Sequence, residues 1–277
     1  MRRAVGVLVA MVALWTATSC LDITSIVPKI GAITPVILPS PSVVIGDVSR
    51  DTAGNPDSLQ VVVFGTNGQP LRPEDFIVRF LAVDTSGGLT VDSISGVAHG
   101  VKISGGATVV ASVRQANGVG GLIQTPTIPY PVVPIPGGGT RIPDTAITFA
   151  FTPSADTLAS TLLSPPLTVT VRAADTVVQK YVVSYRIAYM PPTKPGGTGP
   201  TLVLRGQGAD STIAVTNVSG QASLQLLLRE TAINSDLFLG TTEDSALVVV
   251  RVQYQTNPLP ILPDDTFVVH IKLNKNP

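Results

Sequence analysis

Hydrophobic and polar residues alternate with a period of two along several segments of the chain. One such segment has apolar or aromatic side chains at every second position, namely Tyr181, Val183, Tyr185, Ile187 and Tyr189. A second has the same pattern near the end of the chain, where Phe267, Val269, Ile271 and Leu273 alternate with His270 and Lys272. Successive side chains of a strand point to opposite faces, so this pattern predicts antiparallel strands with one buried face and one solvated face.

The same segments recur in order along the chain, which indicates an internal repeat. Residues 59–64 resemble 167–172, and residues 76–82 resemble 181–187. The best match aligns ISGGATVVASVRQ (103–115) with VSGQASLQLLLRE (218–230). A Pro-Asp step and a final strand close each unit, at 146–151 and at 267–273. We therefore predict two tandem β-sandwich domains, residues 43–155 and 156–277, with a junction near residues 152–166.

Composition supports an all-β class. The 277 residues include 25 Gly and 24 Pro, and 13% of residues are charged. Val and Thr favour pleated, half-buried strands, while Gly and Pro mark turns. No window longer than about ten residues has a helical period free of Pro and Gly.

Two turn motifs are similar to those of bacterial immunoglobulin-like domains of the invasin/intimin group. DTAGNP (51–56), followed by SLQVVVFGTNGQPL, resembles that group's "D/N-x-x-G-x-P" and "G-x-P" turns. SGGATV and SGQASL resemble its "D/N-x-x-G-x-A" turn, with Gly106 or Gly220 preceding a strand. The resemblance implies immunoglobulin-like sandwiches, which in that group usually serve as rigid extracellular spacers or adhesive modules. Fold alone does not determine function.

The first 19 residues have the three-part pattern of a secretory signal peptide. Arg2 and Arg3 precede an apolar run of 12 residues, 4–15, and small polar residues follow. A membrane-spanning helix needs about 20 apolar residues, so this run is too short. No later segment reaches that length without Pro, Gly or charge, and we predict that the mature chain is not an integral membrane protein.

Cys20 is predicted to carry a lipid anchor. Ala17-Thr18-Ser19-Cys20 resembles the lipobox of bacterial lipoproteins, although Ala17 stands where Leu is usual. The resemblance implies that Cys20 is acylated and becomes the first residue of the mature chain, with the membrane as its partner. A free thiol is the alternative, but exported proteins generally use cysteines in pairs and Cys20 is the only one. Leu21, rather than Asp, follows it, which favours the outer membrane or cell surface.

Three proline-rich segments interrupt the strand pattern. Residues 20–42 contain Pro28, Pro35, Pro39 and Pro41. Proline at this density disfavours both helices and central strands, so we predict a tether, in which residues 36–38 could form a short edge strand. Residues 125–139 and 190–200 predict extended edge segments or exposed loops. Tyr130, in the second segment, is the one aromatic residue expected to be exposed.

The sequence offers no convincing catalytic constellation. His99 lies in a turn-like context, and His270 lies on the solvated face of the last strand. No G-x-S-x-G elbow precedes a helix. Loss of Arg2 and Arg3 with the signal would leave 16 of the 18 basic residues against 18 acidic ones. This balance argues against a nucleic-acid partner, and no cofactor is predicted.

The sequence offers one candidate metal site. Asp47, Asp51, Asn55 and Asp57 form a calcium candidate, but their spacing lacks the order of a calcium loop and turn-forming side chains explain the cluster without a metal. A zinc site would need several thiol or histidine ligands close together, and the sequence does not offer them. A glycan platform needs exposed aromatic residues, but the strand that carries Tyr181, Tyr185 and Tyr189 favours core packing.

These patterns predict a non-catalytic envelope lipoprotein that acts as a surface spacer or as an adhesion or binding module for a protein or surface polymer. The alternative is a scaffold subunit of an envelope secretion or export assembly.

Overall fold

The computed structural model describes residues 29–142, 145–151, 163–190, 202–205, 210–228, 244–252 and 265–273, with only the backbone at 148–151, 244, 265, 272 and 273. Contacts divide the chain into two compact units. Among the described residues, the first unit comprises 29–34, Val62–Ile77 and Val113–Ile123, and the second comprises Pro35–Val61, Val78–Ser112 and those from Gln124 onward.

The first part of the chain consists of short strands. They are β1 (Ile30–Ile33), β2 (Val43–Val44), β3 (Val63–Gly65), β4 (Phe76–Val83), β5 (Leu89–Val91), β6 (Ala98–Gly100), β7 (Thr108–Gln115), β8 (Ile123–Gln124), β9 (Ile128–Pro129) and β10 (Val132–Val133). One turn of 3₁₀ helix, Pro73–Asp75, precedes β4.

Longer strands dominate the second part. They are β11 (Gly138–Ile142), β12 (Ile147–Phe151), β13 (Leu167–Ala173), β14 (Thr176–Val177), β15 (Val182–Tyr189), β16 (Leu202–Leu204), β17 (Ser211–Val215), β18 (Gln221–Leu224), β19 (Leu226–Leu228), β20 (Asp244–Val252) and β21 (Asp265–Leu273). The described part of the chain is therefore all-β apart from the 3₁₀ turn.

In the first unit, β1 pairs antiparallel with β3, from Ile30 opposite Gly65 to Ile33 opposite Val63. The amide of Ala116 donates a hydrogen bond of 3.0 Å to the carbonyl oxygen of Asp75. Gly31 allows the strands to approach, because a Cβ there would lie 2.7 Å from the carbonyl oxygen of Gly65.

The second unit contains two hydrophobic cores. The first core comes from strands and loops between positions 36 and 132, with β5 antiparallel to β6 and β9 antiparallel to β7. Its buried members are Val36, Val43, Leu59, Phe80, Leu89, Ala98, Ala107, Val109, Ala111, Tyr130 and Val132.

The second core lies between two packed sheets. One sheet has β13 at its centre, with β11 and β18 on its two sides and β14 at its end. The other sheet has the order β12-β21-β20-β15-β17. Inward residues of both sheets form one core that includes Leu167, Val169, Val171, Val183, Tyr185, Val248, Val250, Phe267, Val269 and Ile271. This is an immunoglobulin-like β-sandwich, because two mainly antiparallel sheets bury their inner faces against each other.

A tight turn positions β18 in this sandwich. The side-chain oxygen of Asn217 accepts hydrogen bonds from the amides of Ser219 (2.8 Å) and Gln221 (3.1 Å). Gly220 has a φ of +69° and directly precedes β18. A Cβ at Gly220 would lie 2.7 Å from the Cβ of Val177, so both the backbone angle and the close approach require glycine. This turn follows the "D/N-x-x-G-x-A" motif at the expected place.

The strand pair β2–β10 lies between the two cores. Val43 and Val132 belong to the first core, while the next residues, Val44 and Val133, belong to the second. Alternate side chains of a strand point to opposite faces, so this short parallel pair contributes to both cores. The hydroxyl of Ser42 also donates a 2.7 Å hydrogen bond to the carbonyl oxygen of Lys180.

The structure differs from the predicted tether over residues 30–42. Ile30–Ile33 forms β1, Val36 is buried, and Ile37 forms an isolated bridge with Gln60. The bridge agrees with the optional edge strand near 36–38. Prolines allow this arrangement because the segment lies along strand edges, where a missing N–H is tolerated. Residues 20–28 lie outside the described part of the chain.

The strands before residue 155 also differ from the predicted arrangement. Strand β12, expected to close the first sandwich, pairs in parallel with β21, from Ile147 opposite Val269 to Phe151 opposite Leu273. Strand β11 pairs with β13. The two predicted closing strands therefore lie side by side in one sheet, and both β11 and β12 belong to the second sandwich. In each core an early strand pairs in parallel with a late one, as β2 does with β10.

Candidate binding face of the second sandwich

The outer face of the sheet β12-β21-β20-β15-β17 carries the candidate site. Inward residues of β15, such as Val183 and Tyr185, are buried in the core. The side chains between them point outward, as the sequence pattern predicted. Cross-strand register places Ser184 opposite both Ile213 and Arg251, and Arg186 opposite both Ser211 and Val249. These six residues form two rows across β17, β15 and β20.

A β-bulge adds an aromatic residue to this face. The register of β15 against β20 shifts between Ile187 and Tyr189, so that Tyr189 lies opposite Leu247. Leu247 alternates with buried Ala246 and Val248, which places it on the outer face. Tyr189 is accordingly 50% exposed. The expectation that Tyr189 packs in the core is wrong because a bulge inserts one residue and reverses the alternation beyond it. Tyr181 and Tyr185 are buried, as expected.

A shallow cavity of about 340 Å³ lies over the two rows. Its lining includes the two arginines Arg186 and Arg251, the hydroxyl residues Ser184, Ser211 and Thr212, and the apolar residues Ile213 and Val249. The described lining residues include no carboxylate. The hydroxyl of Ser184 donates a 3.3 Å hydrogen bond to the carbonyl oxygen of Arg251, which fixes it between the strands.

This arrangement suits recognition rather than covalent chemistry. Guanidinium groups present several N–H donors in a planar fork that matches carboxylate and phosphate oxygens. Serine and threonine hydroxyls both donate and accept hydrogen bonds. A tyrosine ring offers apolar area with a polar tip. The face therefore combines hydrogen-bond donors that can bind an anion with the exposed ring of Tyr189, on which an apolar group can stack.

The four calcium candidate residues make contacts within the chain itself. Both carboxylate oxygens of Asp47 bind Arg50, at 2.9 Å from Nε and 3.0 Å from Nη2. The ion pair is largely buried, with side-chain exposures of 15% for Arg50 and 6% for Asp47. Asp47 Oδ1 also accepts a 2.8 Å hydrogen bond from the amide of Val48. A cation at Asp47 would have to compete with the arginine.

The other three candidates stabilise turns. Asp51 accepts hydrogen bonds from the amides of Ala53 and Asn55 and from the side-chain amide of Asn55. The side-chain bond from Asn55 is the main cause that lowers the pKa of Asp51. Asp57 accepts a hydrogen bond from the amide of Ser58. No group of three or more His, Cys, Asp or Glu side chains within the described residues is placed to hold a metal ion.

The two histidines lie on different strands. His99 is an exposed residue of β6, opposite Thr90, and therefore lies in a strand rather than in the turn that its neighbours suggested. His270 alternates with buried Val269 and Ile271, so it lies on the outer face of β21 as predicted.

Tyr130 is fully buried, contrary to the expectation that it is exposed. Its hydroxyl lies 3.5 Å from the hydroxyl of Ser40. Burial raises the pKa of Tyr130 to about 12. The proline-rich segment around it adopts the extended edge alternative, with β9 and β10, and directs this one ring inward.

Arg186 lies on the polar side of an alternating strand, as the sequence pattern predicted, but no sequence pattern groups it with Arg251. The pairing of β15 with β20 creates that proximity. The predicted lipidation site, Cys20, and residues 191–200 lie outside the described part of the chain. No helix in the described ranges is long and apolar enough to cross a membrane.

No protein-family model matches the sequence, and no curated protein matches it. Several solved structures resemble it weakly. The Yersinia pseudotuberculosis adhesin InvE is 16% identical with a TM-score of 0.33, over 86% of this chain and 57% of that one. The D00-D0 domain of intimin is 13% identical with a TM-score of 0.26, over 85% and 99%. Domains 4–9 of the surface layer protein SbsC are 11% identical with a TM-score of 0.29, over 89% of this chain and 31% of that one. This chain thus spans about a third of that structure. The immunoglobulin-like fold of the second sandwich follows from the strand order described above.

Proposed function

We propose that this protein is a non-catalytic envelope lipoprotein whose second sandwich binds a partner through the outer face of its β12-β21-β20-β15-β17 sheet. The observation that carries the proposal is the exposed ring of Tyr189 beside a cavity lined by Arg186 and Arg251. Binding sites generally combine a concave surface with a few converging polar groups.

The way the cores are joined favours a rigid module. Val44 and Val133 are buried in the second core although their neighbours belong to the first. The Ser42–Lys180 hydrogen bond adds a polar contact at the same place. A rigid connection between the cores holds the binding face at a fixed distance from the first core, which suits a spacer.

Binding to the envelope is tested with labelled full-length protein and isolated cell envelopes. We expect saturable retention that decreases in Tyr189→Ala and is unchanged in Tyr189→Phe, since the phenylalanine keeps the ring. Retention that is absent, or equal for all three proteins, would show that this face is not the binding site.

The anchor is tested by metabolic labelling with a palmitate analogue. We expect label in the wild-type chain and none in Cys20→Ser. Acyl chains contribute roughly 0.8 kcal/mol per buried methylene, so the variant should also be released from membranes. An unlabelled wild-type chain would refute lipidation.

The scaffold alternative is separated by affinity purification from detergent-solubilised envelopes. A free spacer or adhesin is expected to elute without a stoichiometric protein partner. Co-elution of a defined set of envelope proteins in fixed ratio would favour a subunit of an export or secretion assembly.

A further inference from the structure

We infer that the partner of this face is an anionic polysaccharide, in which sugar rings contact Tyr189 and uronate carboxylates are bound by Arg186 and Arg251. The inference depends on the proposed function, because it specifies the ligand of the same face. Its basis is the combination of charge, hydroxyl groups and an exposed ring on one open surface.

Charge favours an acidic ligand. Arg186 and Arg251 line the cavity, and the described lining residues include no carboxylate. Both arginines are exposed. Register places them in adjacent rows, because Arg186 lies opposite Val249 while Arg251 lies two residues further along β20. Two charges in this arrangement can contact successive acidic groups of an extended chain.

The aromatic residue favours a sugar polymer over a simple anion. Tyr189 lies opposite Leu247, and Leu247 is two residues from Val249 along the same outer side of β20. The bulge therefore aligns the ring with the arginine rows instead of the core. A sugar ring has an apolar face that packs on an aromatic ring, and hydroxyl groups that bond to serine hydroxyls.

The open shape of the site favours a chain that passes across it. The cavity lies on the outer surface of a sheet, and the described residues that line it belong to three neighbouring strands, β15, β17 and β20. Ile213 and Val249 supply apolar contacts at its two sides, and Ser184 and Ser211 supply hydroxyls on β15 and β17. A polymer crossing the strands would contact all of these groups in turn.

The test measures binding of the full-length protein to polygalacturonate by titration calorimetry, with fully methyl-esterified polygalacturonate as the neutral counterpart. Both have the same sugar backbone, so any difference is due to the carboxylates. We expect measurable binding to the acid form only, and weakening as salt increases. Equal binding to both forms, or to neither, would overturn the proposal.

Variants identify the residues. Arg186→Gln and Tyr189→Ala should each weaken binding to polygalacturonate about tenfold or more, since a charge-assisted contact or an aromatic anchor is removed. Arg172→Gln is the matched control, because Arg172 is an exposed arginine on the opposite sheet. Unfolding midpoints of all variants are measured to exclude misfolding. An equal loss in Arg172→Gln would indicate nonspecific charge attraction and would overturn the assigned site.

Binding of other anionic ligands shows whether the polysaccharide inference fails separately from the proposed binding function. If sulfated glycans bind as tightly as polygalacturonate, the ligand is still an anionic polysaccharide, and its acidic group can be a sulfate as well as a carboxylate. Polyphosphate that binds equally well, with no loss in Tyr189→Ala, would overturn the sugar component. Retention on envelopes that depends on Tyr189 but is insensitive to uronate competition would leave the binding function standing and refute the polysaccharide.

Discussion

The phenolic oxygen of Tyr185 lies 2.8 Å from the carbonyl oxygen of Ala222, on the opposite sheet of the second sandwich. The same hydroxyl lies 3.3 Å from the carbonyl oxygen of Leu167. Burial raises the pKa of Tyr185, so the phenol stays protonated and can donate this bond. Because Cys20 is the only cysteine, no disulfide within the chain can join the two sheets. A buried hydroxyl provides a direct polar link between them.

Replacing this hydroxyl should destabilise the protein. Tyr185→Phe keeps the ring but removes the hydroxyl and its hydrogen bond across the sandwich, which should lower the free energy of unfolding by about 0.5–1.5 kcal/mol. Urea denaturation followed by circular dichroism measures the change. Tyr189→Phe, at an exposed position, should remain within about 0.5 kcal/mol of wild type. Equal stability of Tyr185→Phe and wild type would contradict the structural role of the bond.

The position of β12 gives a second prediction. Ile147 is 4% exposed and belongs to the second core, opposite Val269 of β21. Ile147→Ala should therefore cost about 2–5 kcal/mol through lost burial and a residual cavity. Ile142→Ala, at a position that is 45% exposed, should cost much less. If Ile147→Ala were as mild as Ile142→Ala in denaturant titrations, β12 would not pack as described.

Gly220 allows a third prediction, with Gly46 as its control. Both have positive φ, +69° and +78°, but a Cβ at Gly46 meets no atom within 4 Å, whereas one at Gly220 overlaps Val177. Gly46→Ala should cost about 1–2 kcal/mol from the backbone angle alone. Gly220→Ala should cost a further 1–3 kcal/mol, roughly, from overpacking. Thermal unfolding of the two variants measures the difference, and equal melting temperatures would contradict it.

We predict that the turn stabilised by the Asp84 carboxylate loses stability in acid. This carboxylate accepts hydrogen bonds from the hydroxyl and amide of Ser86 and from the amides of Gly88 and Leu89. These bonds, with the Ser86 side chain as the main cause, lower the pKa of Asp84 to about 2 from the ordinary value of 3.8. A depressed folded-state pKa stabilises the fold above the unfolded value, and this contribution is lost as pH falls from 3.8 through 2.

Asp84→Asn should consequently be less stable than wild type at pH 7, and the difference should shrink as pH falls to 2. Unfolding midpoints measured between pH 7 and pH 2 test this. Asp175→Asn, at an exposed aspartate in the turn between β13 and β14, is the control. A stability difference for Asp84→Asn that stays constant over the whole range would show that Asp84 titrates normally in the folded protein.

The all-β class and the buried faces of the most regular strands can be predicted from the amino-acid sequence. The alternation at Val183, Tyr185 and Ile187 is a local property of an extended backbone, so it predicts burial without knowledge of partners. The turn at Asn217–Gly220 was also visible, because its hydrogen bonds join residues at most four positions apart.

Strand pairing and the contacts between distant residues, in contrast, depend on long-range packing. The partner of β12 is β21, more than a hundred residues away, and Val-rich strands carry no local signal that distinguishes one such partner from another. The bulge before Tyr189 depends on how β15 and β20 align, and it reverses the side on which that ring emerges. The candidate site follows from these two facts, since long-range register brings Arg186 beside β20 and the bulge exposes the aromatic residue next to it.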